Sequence, residues 1–207
     1  MKNMKKLILI SLAVILLSAG IFALYPINVI QTKSVGVKLM PTKVIPPANI
    51  TYYLQNDPLW SADKLGNSSS KLGGSGCLVS SIASAISSYG FSYTPKELNE
   101  IFTENDVYTE SGLVIWKNIK NAIHEIDYNY SRTFDVRTIE NLLADGKLPI
   151  IEVKYKGFGI NHWVLVIGSD ENHFLIMDPL NSKKEPAKLS DHGNKAYAYR
   201  VMVLNPY

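Results

Sequence analysis

Hydrophobic residues in the middle of the chain recur at the spacing of an amphipathic helix. Between Cys77 and Tyr89 they are three or four residues apart, and Gly90 stands where helices commonly end. Thr94 is followed three residues later by a glutamate, which is the pattern of a capping box. The same rules predict further helices over about 94–102, 113–123 and 135–145, the last capped by Asp135 or Thr133.

The second half of the chain has a different pattern. Its apolar segments are short, rich in Val, Ile and aromatic residues, and separated by turn residues, as expected of strands. They cover residues 148–155, 162–168, 173–177 and 198–204. Because helices come first and strands second, we predict an α+β domain in which a helical N-terminal half packs on an antiparallel sheet.

The N-terminus carries a separate apolar run. Three lysines precede an uncharged stretch over residues 7–25, which is just long enough to cross a bilayer as a helix. Lysines before the run and none immediately after it predict a cytoplasmic N-terminus and a domain outside the cytoplasm. We therefore expect residues 1–25 to be a membrane anchor, with a cleaved signal peptide as the alternative, since Ser18-Ala19-Gly20 offers small residues for cleavage.

The segment after this run begins at Pro26, has little amphipathic pattern and contains three further prolines, at positions 41, 46 and 47. We predict an extended linker over residues 26–50 and a globular domain over residues 51–207.

The charge of the chain is concentrated at its N-terminus. The formal net charge is +3; removing the three N-terminal lysines from 21 Lys and Arg leaves 18, against 18 Asp and Glu. The body of the protein is therefore formally neutral. It lacks the basic footprint that a phosphate backbone requires, so nucleic acid is not an expected partner.

Cys77 is the single cysteine of the chain. It cannot form an intrachain disulfide, so it is either a packed core residue or is retained for its chemistry. It follows residues 72–76, where three glycines predict no regular structure, and it opens a predicted helix. A helix N-terminus favours the reactive thiolate, and its N–H groups can contribute to an oxyanion hole. Cys77 is therefore the candidate nucleophile.

A thiol nucleophile needs a base, which is normally histidine. Of the four histidines, His124 is expected on an amphipathic helix, His173 beside a turn and His192 in a solvated polar loop. His162 opens the most hydrophobic predicted strand, directly after a loop that contains glycine. His162 is therefore the candidate base, and a histidine that merely ends a strand is the alternative.

A hairpin between the two central strands supplies a third candidate residue. If the turn is centred near residues 170–171, His162 lies opposite Pro179 or Asp178, within one residue. Asp178 is then placed to accept a hydrogen bond from one imidazole nitrogen and to leave the other for Cys77. The alternative is that Asp178 only ends a strand.

Four segments, in this order and spacing, resemble a known family. They are Gln55-Asn56-Asp57-Pro58-Leu59-Trp60, then Gly76-Cys77 with Ser81 and Ala83 behind it, then residues 161–168, and last Phe174-Leu175-Ile176-Met177-Asp178-Pro179. Together they make residues 51 to about 204 similar to the C39-like peptidases, a branch of the papain-like cysteine peptidase superfamily.

The resemblance implies a role for each matching residue. Cys77 is implied as nucleophile, His162 as base and Asp178 as the residue that orients the base. The resemblance also implies that Gln55 donates its side-chain amide to the oxyanion, beside the Cys77 backbone N–H. Trp60 is expected to be structural.

The predicted function is that of an extracytoplasmic cysteine hydrolase, a peptidase that cleaves peptide or isopeptide bonds through a thioester on Cys77. Its expected partners are a peptide or protein substrate and, through the N-terminal helix, the membrane. The alternatives are a non-catalytic peptide-binding module at the cell surface and a cell-wall peptide hydrolase, whose nucleophile typically lies in Asp-Cys-Ser rather than Gly-Cys-Leu. No cofactor or metal is expected, because the sequence shows no His-rich or Cys-rich cluster.

Overall fold

The structure of the chain, a computed structural model, describes residues 35–205. The predicted anchor over residues 1–25 and the first part of the predicted linker lie outside the described residues. Within the described range, none of the helices combines the length and the apolar character needed to cross a bilayer.

Helices occupy mainly the first part of the described chain and strands the second. The α-helices are α1 (Leu72–Ser75), α2 (Cys77–Ser87), α3 (Pro95–Glu104), α4 (Ile119–Ala122) and α5 (Val136–Ala144). The strands are β1 (Val37–Lys38), β2 (Ile126–Asn129), β3 (Pro149–Lys154), β4 (Asn161–Ser169), β5 (Phe174–Met177), β6 (Ala187–Lys188), β7 (Lys195–Ala196) and β8 (Ala198–Leu204). Short 3-10 turns lie at Trp116–Asn118, Tyr155–Gly157 and Leu189–His192.

The larger sheet of the described chain has six strands in the order β2-β8-β3-β4-β5-β6, and every neighbouring pair is antiparallel. Helix α2 packs against β4 at the centre of this sheet. Both elements contribute fully buried side chains to the core, among them Ile82, Ile86 and Val164. The predicted α+β class, with a helical half packed on an antiparallel sheet, is confirmed.

Two predicted helix starts are confirmed in atomic detail. Thr94 accepts a hydrogen bond from the Glu97 N–H, and the Glu97 carboxylate accepts one from the Thr94 N–H, so the capping box is complete. Asp135, rather than Thr133, caps α5 by accepting from the Thr138 N–H at 2.8 Å. Both signals are local in sequence, which is why they could be identified before the fold.

The helix predicted over residues 113–123 is largely wrong. Only a 3-10 turn and the four-residue α4 form in this segment. The start of the segment belongs to a loop instead, because the Ile115 N–H donates to the Val107 carbonyl at 2.7 Å and the Leu113 N–H donates to the Thr109 hydroxyl at 3.0 Å. These bonds tie Leu113 and Ile115 to the preceding loop.

The glycine-rich segment before Cys77 is also more regular than predicted, since it forms the single helical turn α1. The glycines are needed for close packing. A Cβ on Gly73 would lie 2.8 Å from the Ser61 side chain, and a Cβ on Gly76 would lie 2.5 Å from the Leu72 carbonyl oxygen. The absence of side chains at these two positions lets α1 pack tightly and turn directly into α2.

Residues 36–50, which we call the N-terminal strap, are part of the predicted linker and pack on the domain. Leu39 is fully buried in the core. Ile45 and Ser169 exchange backbone hydrogen bonds of 3.0 and 2.8 Å, which attaches the strap to the end of β4. Thr42 donates from its hydroxyl to the buried Glu140 carboxylate at 2.9 Å. The compact unit that includes the strap begins at Gly36.

Candidate active site

Cys77 is the first residue of α2, an eleven-residue helix, and its thiol is free and half-buried. The first N–H groups of an α-helix have no partner within the helix, so they remain available to a bound group. Gly76 has no side chain to cover this end of the helix. The prediction that the cysteine opens a helix behind a glycine-rich turn is confirmed.

His162 is the second residue of β4, and its side chain is only 2% exposed. It pairs across the ladder with Val153 of β3, so two neighbouring strands fix the position of its backbone. Its Nε2 donates to Asp178 Oδ1 at 2.6 Å. The Cys77 side chain is close enough to this ring to raise its pKa. Since Nε2 is engaged by the carboxylate, Nδ1 is the nitrogen left for the sulfur.

Asp178 directly follows β5 and lies beside His162, as the hairpin argument predicts. The register itself is displaced by one residue: Leu165 pairs with Met177 instead of Ile176, and a bulge lies between Val166 and Gly168. The carboxylate still reaches the imidazole because the chain leaves the strand after Met177 and turns.

The charges of this pair stabilise each other. Burial by itself lowers the pKa of His162, but the hydrogen bond to Asp178 and the nearby Cys77 side chain outweigh burial and raise that pKa to about 9. Burial by itself raises the pKa of Asp178, but the hydrogen bonds from His162 and His192 outweigh it and lower that pKa well below its ordinary value. At neutral pH the site therefore holds an imidazolium between a carboxylate and the sulfur.

Gln55 lies near Cys77 and His162, and only 1% of its surface is exposed. Its Nε2 donates to the Gly73 carbonyl at 2.8 Å, and its backbone N–H donates to the Pro179 carbonyl at 2.9 Å. An amide nitrogen carries two protons, so one N–H of the side chain remains after the bond to Gly73. Gln55 thus borders the cleft with one donor to spare, as an oxyanion contact requires.

A cleft of about 320 Å³ joins these residues. Gln55, Cys77 and His162 line it, and most of the rest of its wall is apolar. The apolar wall includes Leu78, Leu113, Val114, Ile160, Trp163 and Leu180. Leu113 and Ile160 are 67% and 72% exposed, so the apolar surface continues outward to the solvent.

His192 is not the solvated loop residue that the sequence predicts. It ends the 3-10 turn Leu189–His192 with only 3% of its side chain exposed. Its Nε2 lies 3.1 Å from Asp178 Oδ2, and its Nδ1 accepts from the Lys156 N–H at 3.0 Å. Leu189, fully buried three residues earlier, is the local signal that this turn faces inward. The polar residues around His192 concealed that signal.

The other two histidines lie away from the cleft. His124 is exposed, in a turn that follows α4 rather than on the predicted helix. His173 precedes β5 and is partly exposed, with its Nδ1 3.3 Å from Asp170 Oδ1. Their exclusion from the candidate site agrees with the sequence analysis, although His124 lies in a different element.

The structure also gathers three potential metal ligands that the sequence did not reveal as a cluster. Ligand atoms of His162, Asp178 and His192 all lie within 4.8 Å of one another. The hydrogen bonds of His192 favour a role as a hydrogen-bond donor over a role as a metal ligand. Because His192 Nδ1 accepts from a backbone N–H, its proton is on Nε2, the nitrogen that faces the carboxylate. A protonated nitrogen is a donor to Asp178 and not a ligand.

A family model described as "Peptidase_C39 like family" matches residues 47–202, a range that includes Gln55, Cys77, His162 and Asp178. No curated protein gives a significant match to the chain. Among solved structures, a crystal structure described as a candidate C39-like peptidase from Bacillus anthracis is 16% identical, with a TM-score of 0.49. That match covers 82% of this chain and 99% of the other.

Proposed function

We propose that this chain, which belongs to the C39-like peptidase family, is an active cysteine hydrolase that cleaves peptide or isopeptide bonds. The observation that carries the proposal is the buried His162 imidazole, close to Cys77 on one side and 2.6 Å from Asp178 on the other. Such a set of nucleophile, base and orienting carboxylate supports acyl transfer.

In the first half of the proposed reaction, the Cys77 thiolate attacks the carbonyl carbon of the scissile bond. The Cys77 backbone N–H and the spare N–H of Gln55 stabilise the oxyanion. The His162 imidazolium then gives its Nδ1 proton to the departing amine, and the C–N bond breaks. A thioester on Cys77 and a neutral imidazole remain.

In the second half, His162 acts as a base towards water. It takes a proton as the water oxygen attacks the thioester carbonyl, and the C–S bond then breaks. The acid product leaves with the oxygen of the water. The thiolate and the imidazolium are restored, so the reaction consumes one water for each bond cleaved.

Alkylation of the purified protein with iodoacetamide tests the proposed pair without knowledge of the substrate. We expect wild-type Cys77 to react rapidly at pH 6, because the imidazolium favours the thiolate. H162A should react about tenfold more slowly at pH 6 and similarly at pH 10, where an unassisted thiol is also ionised. H124A, which removes an exposed histidine outside the cleft, is the matched control and should behave as wild type.

The same proteins also distinguish the proposed peptidase from the two alternative functions, a peptide-binding module and a cell-wall hydrolase. Slow alkylation at pH 6 in the wild type, equal to that of H162A, would favour a non-catalytic peptide-binding module. If the thiol is reactive, peptide mixtures and peptidoglycan stem peptides analysed by mass spectrometry distinguish a general peptidase from a cell-wall hydrolase. C77A must abolish any cleavage observed.

We also propose that the domain works outside the cytoplasm, held by residues 1–25 or released from them by signal cleavage. The proposal is supported by the apolar run that follows three lysines at the N-terminus. Alkaline extraction of membranes should leave an anchored chain in the membrane pellet. Recovery of the uncleaved chain in the cytosol would contradict both versions.

A further inference from the structure

The Asp178 carboxylate is held by donors on both of its oxygens. Oδ1 accepts from His162 Nε2 at 2.6 Å and from the Leu180 N–H at 2.8 Å. Oδ2 accepts from His192 Nε2 at 3.1 Å. A carboxylate with partners on both oxygens cannot rotate freely, so the direction in which it faces His162 is fixed. The reaction described above uses His162 and Asp178 but assigns nothing to His192.

The protonation of His192 is set by the backbone behind it. The Lys156 N–H donates to His192 Nδ1 at 3.0 Å, so Nδ1 carries no proton and the neutral ring has its proton on Nε2. Lys156 lies in the left-handed region at φ 53°, which is uncommon for a residue other than glycine. The adopted backbone conformation points this N–H at the buried ring. His192 is therefore presented to Asp178 as a neutral donor.

Tyr155 covers both histidines. Its ring lies 5.6 Å from the His162 ring at a nearly perpendicular angle of 86°, and 5.6 Å from the His192 ring. The two imidazoles are also 5.6 Å apart. The titratable groups against His162 thus come from four places: Cys77 on α2, Tyr155 after β3, Asp178 after β5, and His192.

We propose that His192 is a positioning residue of the proposed cysteine hydrolase, acting through Asp178. As a neutral Nε2–H donor it holds the carboxylate ionised and directed at His162, which keeps the imidazolium facing Cys77. This inference rests on the proposed function, because it assigns to His192 the support of that same pair. His192 does not contact the reacting atoms, and its effect is expected on the state of His162.

Three variants separate the contacts of His192. H192F keeps a flat ring and removes both hydrogen bonds. H192N places an amide near the Lys156 N–H but is too short to reach Asp178. H192Q extends an amide N–H to about the position of the histidine Nε2 and so restores the donor to the carboxylate. Circular dichroism and thermal unfolding of each variant show whether it folds.

The readout is the ratio of the iodoacetamide reaction rates at pH 6 and pH 10 in the full chain. We expect this ratio to fall about tenfold in H192F and H192N, because a base without its oriented partner loses much of its effect. H192Q should recover most of the wild-type ratio. If His192 had only a structural role, its variants would unfold at a different temperature. The ratio of alkylation rates at pH 6 and pH 10, measured on the folded protein, would then be unchanged.

A second measurement needs no variant. Ring-nitrogen NMR shifts of the wild type at neutral pH should show His192 with a bare Nδ1 and a protonated Nε2. A proton on Nδ1 would overturn the proposal, and so would folded H192F and H192N proteins with the wild-type ratio.

The outcomes also distinguish this inference from the function it rests on. If wild type already has the low ratio of H162A, the thiolate–imidazolium pair does not exist and both proposals fail. If wild type and H162A differ as expected but H192F and H192N match wild type, only the role of His192 fails.

Discussion

At the scale of single residues, Asp178 is a charged group in surroundings that disfavour charge. It is a nearly buried carboxylate, and burial by itself would raise its pKa and neutralise it. Hydrogen bonds from two histidines reverse that tendency, so the charge is retained inside the protein. An ionised group in such a position is stable only while its partners remain in place.

This balance predicts an acid-dependent contribution to stability that D178N should remove. The folded-state pKa of Asp178 is depressed below 3.8, the value expected of an unperturbed aspartate. Its contribution to the free energy of unfolding is therefore present above about pH 4 and is lost as the pH falls further. Urea unfolding of wild type and D178N should show a large stability difference at pH 7 and a smaller one at pH 3.

D145N is the control for that comparison. Asp145 is an exposed residue at the end of α5, outside the site. Its replacement should change stability little and by a similar amount at both pH values. A stability difference between wild type and D178N that does not depend on pH would show that the carboxylate is not held ionised by its neighbours.

Among the elements, α2 determines where the nucleophile lies. The helix begins directly at Cys77, because Gly76 joins α1 to α2 and its missing side chain lets the chain pass close to the Leu72 carbonyl. On its other side α2 packs against β4, and the Ser81 hydroxyl donates to the Trp163 carbonyl at 3.3 Å. Ser81 lies one turn along α2 from Cys77, and Trp163 directly follows His162. This hydrogen bond therefore links the helix that carries the nucleophile to the strand that carries the base.

G76A should therefore disturb the site through the backbone. The new Cβ would lie 2.5 Å from the Leu72 carbonyl oxygen, so the junction of α1 and α2 must shift. We expect a loss of roughly 1–3 kcal/mol in the free energy of unfolding, as for other overpacked positions, together with slower alkylation of Cys77 at pH 6. G74A is the matched control in the same turn, since a Cβ there meets no atom within 4 Å. Equal stability of the two variants would contradict the packing argument.

Across the whole molecule, the predictable features are those that depend on neighbours in sequence. The capping box at Thr94, the helix start near Asp135 and the order of helices and strands were identified because local pattern determines them. His192 was missed because its partners Asp178 and Lys156 are 14 and 36 residues away. The hairpin register was displaced because Ser169 pairs with Phe174, which centres the turn one residue later than predicted, and local pattern does not fix the centre of this turn.

The N-terminal strap leads to a prediction about where the folding unit starts. A chain that begins at Gly36 should fold, whereas one that begins at Thr51 lacks Leu39, whose burial alone is worth roughly 1.5–3 kcal/mol. It also leaves the buried Glu140 carboxylate without Thr42. Thermal unfolding should show a Tm lower by about 10 °C or more for the shorter chain, or no cooperative transition. Equal melting of the two would mean that the strap contributes no stability.

The half-buried thiol of Cys77 at the mouth of the cleft has a consequence for the lifetime of the protein. A thiolate accessible to solvent is open to peroxide, which converts it first to a sulfenic acid. This sequence contains no second cysteine to trap that species as an internal disulfide. Recovery then depends on a small thiol or a reductase from the surroundings, and in their absence further oxidation is irreversible.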